Sequence, residues 1–419
     1  MRADQAWFPL PLPVPVAGLL LSGLIACGET GSGTPLVTTT DSAGIAIVTI
    51  TTDPASLPEW HLDTVPQVTI RAAGDLEFGR LRRAVWMEDG TIAALDDRPE
   101  AIHLFDSTGL WLRSLGRRGD GPGEFRSAST LSALGDSLYL YSRTQGRLSV
   151  YHTVDGFARS VAFGDWRLAP DGVRAVGPGR LRTTRTQVDT IPPSGPPPHL
   201  FAMHTTVLSA DASGRPLGPE FRFPTRPEIE SGDLGGVLYF WPQPVLDASG
   251  RVVVWGPGDT HNLTVFDSTL TPVRAIRWLI PPEPLRRSEV DSTRTYLRDA
   301  WRTGISEEYA ERAIALVFDD RFIPKVRPAL GRVLVDDMDR IWIERFPMII
   351  EPEVEPSRWL VLDPDGIPLG RIAIPPGQRL ITVRGDRALF ITEDADGLPT
   401  LVVTRVEGMG GSGRISSAN

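Results

Sequence analysis

The chain has 419 residues, a formal net charge of −9, 41% hydrophobic and 23% charged residues. That balance is ordinary for a globular protein and excludes a disordered or collagen-like chain; the acidic sign argues against a nucleic-acid partner. Lys325 is the only lysine. Arginine therefore carries nearly all the positive charge, a compositional bias that warns against reading every arginine cluster as a site.

In chain order, Arg2 is followed by an apolar stretch from Val14 to Leu21, and then by Leu24-Ile25-Ala26-Cys27, which ends in the only cysteine. The apolar run is too short to span a bilayer, and Pro9, Pro11 and Pro13 break up any long helix there. The arrangement resembles a bacterial lipoprotein signal with its lipobox. The resemblance implies removal of residues 1–26, lipidation of Cys27 and an exported protein held to the cell envelope by membrane lipid. The outer membrane is favoured if the host is Gram-negative. Two or three acyl chains, at about 0.8 kcal/mol per buried methylene, make a stable anchor. Residues 27–40, rich in Gly, Ser and Thr, read as a flexible tether.

From residue 41 onward, short β-rich runs alternate with turns that draw on 41 glycines and 38 prolines. The clearest unit has strands at Ala84–Glu88, Thr91–Leu95, Ile102–Phe105 and Leu110–Leu115, with turns at Asp89-Gly90 and Asp106-Ser107-Thr108-Gly109. Four antiparallel strands joined by hairpins make one propeller blade. The pattern recurs at 137–163, more loosely at 171–214, then at 247–267, 333–366 and 380–406. The last repeat lacks a fourth strand, and Gly44–Ile50 is a spare strand near the start. Pairing Gly44–Ile50 with Leu401–Val406 is expected to close the ring and remove exposed edges. The predicted fold is all-β: a six-bladed β-propeller over 41–408, with an N-terminal closing strand and a disordered tail over 409–419.

Phe105-Asp106-Ser107-Thr108-Gly109 followed by Gly116-Arg117-Arg118-Gly119-Asp120-Gly121-Pro122-Gly123-Glu124-Phe125 resembles the signature of NHL-like six-bladed propellers. Asp41-Ser42-Ala43-Gly44 and Trp60-His61-Leu62 are similar to the openings of many exported bacterial members. The resemblance implies fold, export and a binding or scaffolding role, and no single activity.

Two segments depart from the blade pattern. Pro192 to Pro198 reads as a stiff surface loop. Residues 288–320 read as a helical insertion: Ser288 and Asp291 form a capping box, Gly304 separates two helices, and Ser306 starts the second. Leu297, Trp301, Ile314 and Val317 are its expected buried face. The hairpin either partly covers one mouth of the propeller or packs on its outer edge.

A search for chemistry yields little. The run Gly116 to Gly123 lacks the Gly-Lys-Ser/Thr ending of a phosphate loop. The turns at Asp363–Gly366 and Asp394–Gly397 lack the spacing and distal Glu of a calcium loop, and Asp336, Asp337 and Asp339 also sit in a turn. None of the six histidines makes a helical i, i+4 zinc pair. No catalytic residue, metal or cofactor is assigned. The candidates for ligand contact are Trp166, Trp241, Arg126 and Trp301. The expected function is an exported recognition or scaffold module for a protein, peptide or glycan. The alternative is a metal-dependent lactonase-like hydrolase or lyase with its site in the channel.

Overall fold

Runs of β-branched and aromatic residues cut by Asp- and Gly-containing turns fold as successive antiparallel meanders. The computed structural model describes residues 36–163, 170–188, 198–302, 304–347 and 355–409. Cys27, Trp166 and most of the Pro192–Pro198 loop lie outside the described residues.

The first sheet contains Leu81–Trp86, Ile92–Asp96, Ala101–Phe105 and Trp111–Leu115 in sequential order. The second contains Ala128–Leu134, Ser137–Ser142, Arg147–His152 and Gly156–Ala162. The third is larger: Gly172–Gly177, Arg180–Val188, His199–Asp211, Phe221–Ser231 and Leu234–Val237. The fourth has Val245–Ala248, Val252–Gly256, Asn262–Asp267 and Pro272–Trp278. The fifth has Leu330–Val335, Ile341–Arg345, Ser357–Leu362 and Pro368–Ile374, and the sixth Arg379–Arg384, Arg387–Glu393 and Pro399–Glu407.

Apolar cores link each sheet to the next. Leu95 and Leu104 pack with Leu138 and Leu140, Tyr141 with Leu181, and Val207 with Phe266. Val254 packs with Ile341, and Trp342 with Phe390. Leu389 and Leu401 of the sixth sheet share a core with Ile92 and Phe105 of the first, so the circuit returns to its start.

The chain closes this circuit with a different strand from the one its sequence suggests. Ile45–Ile50 does not reach the sixth sheet; it pairs in parallel with Pro272–Trp278 of the fourth. It also pairs antiparallel with Val37–Ser42, a strand that begins inside the span 27–40 expected to be tether. Glu59–Leu62 then lies parallel to Pro368–Ile374 of the fifth sheet. There the Trp60 ring covers Gly370, where an added Cβ would come within 2.5 Å of it. Finally Val68–Ile70 pairs with Leu401–Val403 and supplies the fourth strand of the sixth sheet. The N-terminal segment therefore runs along the outside of three sheets. The reason is burial: Val48 and Ile50 complete the core between the fourth and fifth sheets, whereas Val68 and Ile70 complete the one between the sixth and first.

One turn device recurs. In the hairpins starting at Asp106, Asp211, Asp267, Asp336, Asp363 and Asp394, the Asp Oδ1 accepts the backbone N–H groups two and four residues on. This is Asx-turn chemistry. It accounts for Asp363 and Asp394 without a metal. In four of these turns a glycine takes the left-handed position, as Gly109 does at φ 89°. The fourth sheet uses Leu270 there, at φ 66°. Leu270 is only 1% exposed, and burying it contributes about 1.5–3 kcal/mol, enough to offset a left-handed penalty of roughly 1–2 kcal/mol.

The helical insertion is α1, Arg287–Arg302, and α2, Glu307–Val317. Ser306 caps α2 by accepting the Tyr309 N–H. At the start of α1 it is the Glu289 carboxylate, rather than Asp291, that reaches back, accepting the Arg286 N–H at 2.9 Å. Ile314 and Val317 are buried, while Leu297 and Trp301 are partly buried against the same cluster. α2 packs on Phe221–Ser231 and Leu234–Val237 of the third sheet.

Candidate functional site

Three sheets meet at a cleft of about 1010 Å³. Its walls come from residues 259–262 and 278–283 of the fourth sheet, 327–332, 344–347 and 355–358 of the fifth, and 375–379 before the sixth. α1 adds Glu289 to one wall. Much of the rim is proline, Pro281-Pro282, Pro347 and Pro375-Pro376, and Pro328 is buried in the wall. Each fixes its own φ near −65° and biases the preceding residue to extended backbone, so the rim is stiff.

The walls carry an ion-pair lattice. Arg332 meets Glu344 at 2.7 Å, and its guanidinium lies 5.0 Å from the Trp359 ring centroid. Glu283 pairs with both Arg327, at 3.2 Å, and Arg345. Arg327 also pairs with Glu289. Burial works to raise the Glu289 pKa, but the Arg286 N–H and the Arg327 guanidinium outweigh it and hold the carboxyl below its usual range.

His261 is the cleft's buried titratable ring. It is 8% exposed, and its Nε2 has no hydrogen-bond partner among the described residues. Burial pushes its pKa down to about 4, helped by the nearby Arg345 charge and opposed by Glu283. The ring is neutral at pH 7. In the unfolded chain it takes up a proton below about pH 6.5, while in the folded protein it does so only near pH 4. Its contribution to stability is therefore complete above pH 6.5 and is lost as the pH falls toward 4. His261→Gln is expected to flatten the fall of the unfolding free energy over that window by up to about 3 kcal/mol. Denaturant unfolding at pH 7, 5.5 and 4.5 checks this; parallel curves for the two proteins refute it.

The three described candidates picked from sequence lie elsewhere. Arg126 precedes the second sheet and pairs with Asp120 at 2.7 Å. Trp241 and Trp301 pack together in the cluster beneath α2. None of these three lines the cleft. The Gly116–Gly123 loop is filled by its own Glu124, whose Oε2 accepts the Gly121 N–H at 2.9 Å. A carboxylate thus occupies the position an anion would need. Trp111 is 40% exposed on an outer strand.

The other acids and histidines have local roles. Asp337 accepts the Gly385 N–H, and Asp339 pairs with Arg251. His103 Nδ1 lies 2.7 Å from Ser114 Oγ, and His152 Nδ1 lies 3.1 Å from Ser137 Oγ. Among the described residues no three His, Cys, Asp or Glu side chains converge as metal ligands. Sequence reasoning missed the cleft. Its one local signal was the Pro-Pro pair shortly after a strand, at 281–282 and again at 375–376.

No described protein family matches this chain, and no curated protein sequence matches it. Similar solved structures include a protein from Bacteroides fragilis described as exported, 9% identical, covering 86% of this chain and 99% of that chain, with a TM-score of 0.46. A member of the DUF4221 family from Bacteroides vulgatus is 10% identical, covering 84% of this chain and 99% of that chain, with a TM-score of 0.46. A virginiamycin B lyase from Staphylococcus aureus is 9% identical, covering 83% of this chain and 99% of that chain, with a TM-score of 0.39. At this level of likeness, the fold rests on the strand topology described above.

Proposed function

We propose that the chain is an exported six-bladed β-propeller that recognises a protein, peptide or glycan in the cleft between its fourth, fifth and sixth blades. The observation that carries this reading is the cleft itself: a large concavity with a stiff proline rim and polar groups converging from three sheets. The circuit of cores supports the propeller, because each meander packs on the next and the last on the first. A photo-crosslinking residue at Gln378, on the cleft wall, is expected to capture a ligand in host cells, while one at the exposed Thr38 of the outer hairpin captures none. Adducts only at Thr38 would move the site off the cleft.

The anchor belongs to the same proposal. Cys27 carries lipid and holds the module to the cell envelope, with the outer membrane favoured in a Gram-negative host. Among the described residues no helix is long and apolar enough to cross a membrane. Cys27→Ser is expected to shift the protein from the membrane to the soluble fraction and to abolish incorporation of labelled fatty acid. Unchanged membrane association of the variant would sink the idea.

A further inference from the structure

The first strands of the meanders carry a second feature that reaches the cleft. Arg82 and Arg83 lie on Leu81–Trp86, Arg174 on Gly172–Gly177, Arg332 on Leu330–Val335 and Arg379 on Arg379–Arg384. The Arg379 guanidinium crosses from the sixth sheet to the first, where its Nη2 donates to the carbonyls of Leu81, at 3.5 Å, and Arg82, at 3.3 Å. Arg83 Nε donates to the Ser129 carbonyl of the second sheet at 2.8 Å. Arg332 and Arg379 also line the cleft, whereas Arg82, Arg83 and Arg174 do not, so the group adjoins it. We propose that these arginines form a seat for a compact, multiply charged oxyanion carried by the ligand. The inference rests on the cleft being the recognition site.

The argument is one of uncompensated charge, which arginine-rich composition alone does not produce. Arg82 has Asp97, Arg174 has Asp247 and Arg332 has Glu344. Arg83 and Arg379 have no carboxylate partner among the described residues; they donate only to backbone carbonyls. A carbonyl satisfies a donor but leaves the charge. The consequence appears at Arg83: burial, then the charges of Arg174, Arg82 and Arg379, push its pKa down to about 10, with Asp97 opposing. Arg379 is lowered in the same way, by burial and then by Arg332 and Arg82. Both stay protonated at neutral pH. Guanidinium charges gathered beyond their carboxylate partners favour an anion of two or more charges, which a planar fork can bind through paired N–H groups. Phosphate and polycarboxylate groups share that chemistry.

The test uses the purified full-length protein with pyrophosphate, citrate and sodium chloride at matched ionic strength, read by calorimetry and thermal unfolding. Pyrophosphate or citrate is expected to bind and to raise the midpoint where chloride does not; the tighter of the two assigns phosphate or carboxylate chemistry. Arg379→Gln, which keeps a donor for the two carbonyls, and Arg83→Gln are each expected to weaken that binding about tenfold. The unliganded midpoint should be unchanged or higher, because repulsion is relieved. If Arg83→Gln fails to fold, Arg83→Lys keeps the charge without the fork and should bind with intermediate affinity. No stabilisation beyond chloride, or equal stabilisation of wild type and both glutamine variants, overturns the proposal. A neutral ligand captured at Gln378 while both anions fail would overturn it and leave the cleft reading standing.

Discussion

Ile70→Asp is expected to destabilise the protein by about 5 kcal/mol, most of the stability of an ordinary domain. Ile70 is 3% exposed, in the core that joins the sixth sheet to the first. The substitution removes about 2–3 kcal/mol of apolar burial and places a carboxylate in an apolar core, which costs several more. Val65→Asp is the control: it lies in the same segment but is 70% exposed and should stay within about 0.5 kcal/mol of the parent. Guanidinium unfolding followed by tryptophan fluorescence gives both values. Amide exchange should show the sixth and first sheets losing protection together. An Ile70→Asp variant that melts with the parent would mean that Val68–Ile70 does not close the ring.

The second large effect is expected at Asp336, whose carboxylate is fully buried. Its Oδ1 accepts the N–H groups of Met338 and Arg340, and its Oδ2 accepts Arg340 Nε at 2.6 Å and Trp342 Nε1 at 2.9 Å. Asp336→Ala leaves a buried guanidinium and a buried indole N–H without this acceptor, at a cost of about 3–5 kcal/mol. The same turn at Asp106 is exposed, so Asp106→Ala should cost only about 0.5–1.5 kcal/mol. Equal losses at the two positions would show that the turn, and not the buried network, carries the energy.

Much of the sheet architecture is readable in sequence because each hairpin is local. Asp106-Ser107-Thr108-Gly109 and Asp363-Pro364-Asp365-Gly366 fix their turns within a few residues, and the flanking apolar runs fix the strands. The helical hairpin is readable for the same reason, through Ser306 and Gly304. The closing strand is not. Val68–Ile70 is three residues long, and nothing local distinguishes it from Ile45–Ile50 as a partner for Leu401–Val403, because pairing between distant strands is set by which core each completes. The first strands of the second and third meanders also escape notice. Ala128–Leu134 and Gly172–Gly177 have intermediate burial along much of their length, which blunts the alternation that marks a strand. The cleft is assembled from residues spread between 259 and 379, and no motif spans that distance. Its arginines look in sequence like any others in a chain with one lysine.

The path of the N-terminal segment has a consequence for how the protein is made. Ile45–Ile50, Glu59–Leu62 and Val68–Ile70 leave the ribosome well before their partners, which lie in the fourth, fifth and sixth sheets. Until Leu401–Val403 is complete, the strand that closes the circuit has nothing to pair with. Loop closure across nearly the whole chain comes last and makes the final step slow. During that wait both Val68–Ile70 and the outer edge of the sixth sheet are open to pairing with other chains. A nascent chain stalled or clipped before residue 401 would carry both edges permanently, so truncated products should be removed or aggregate rather than persist as smaller folded rings.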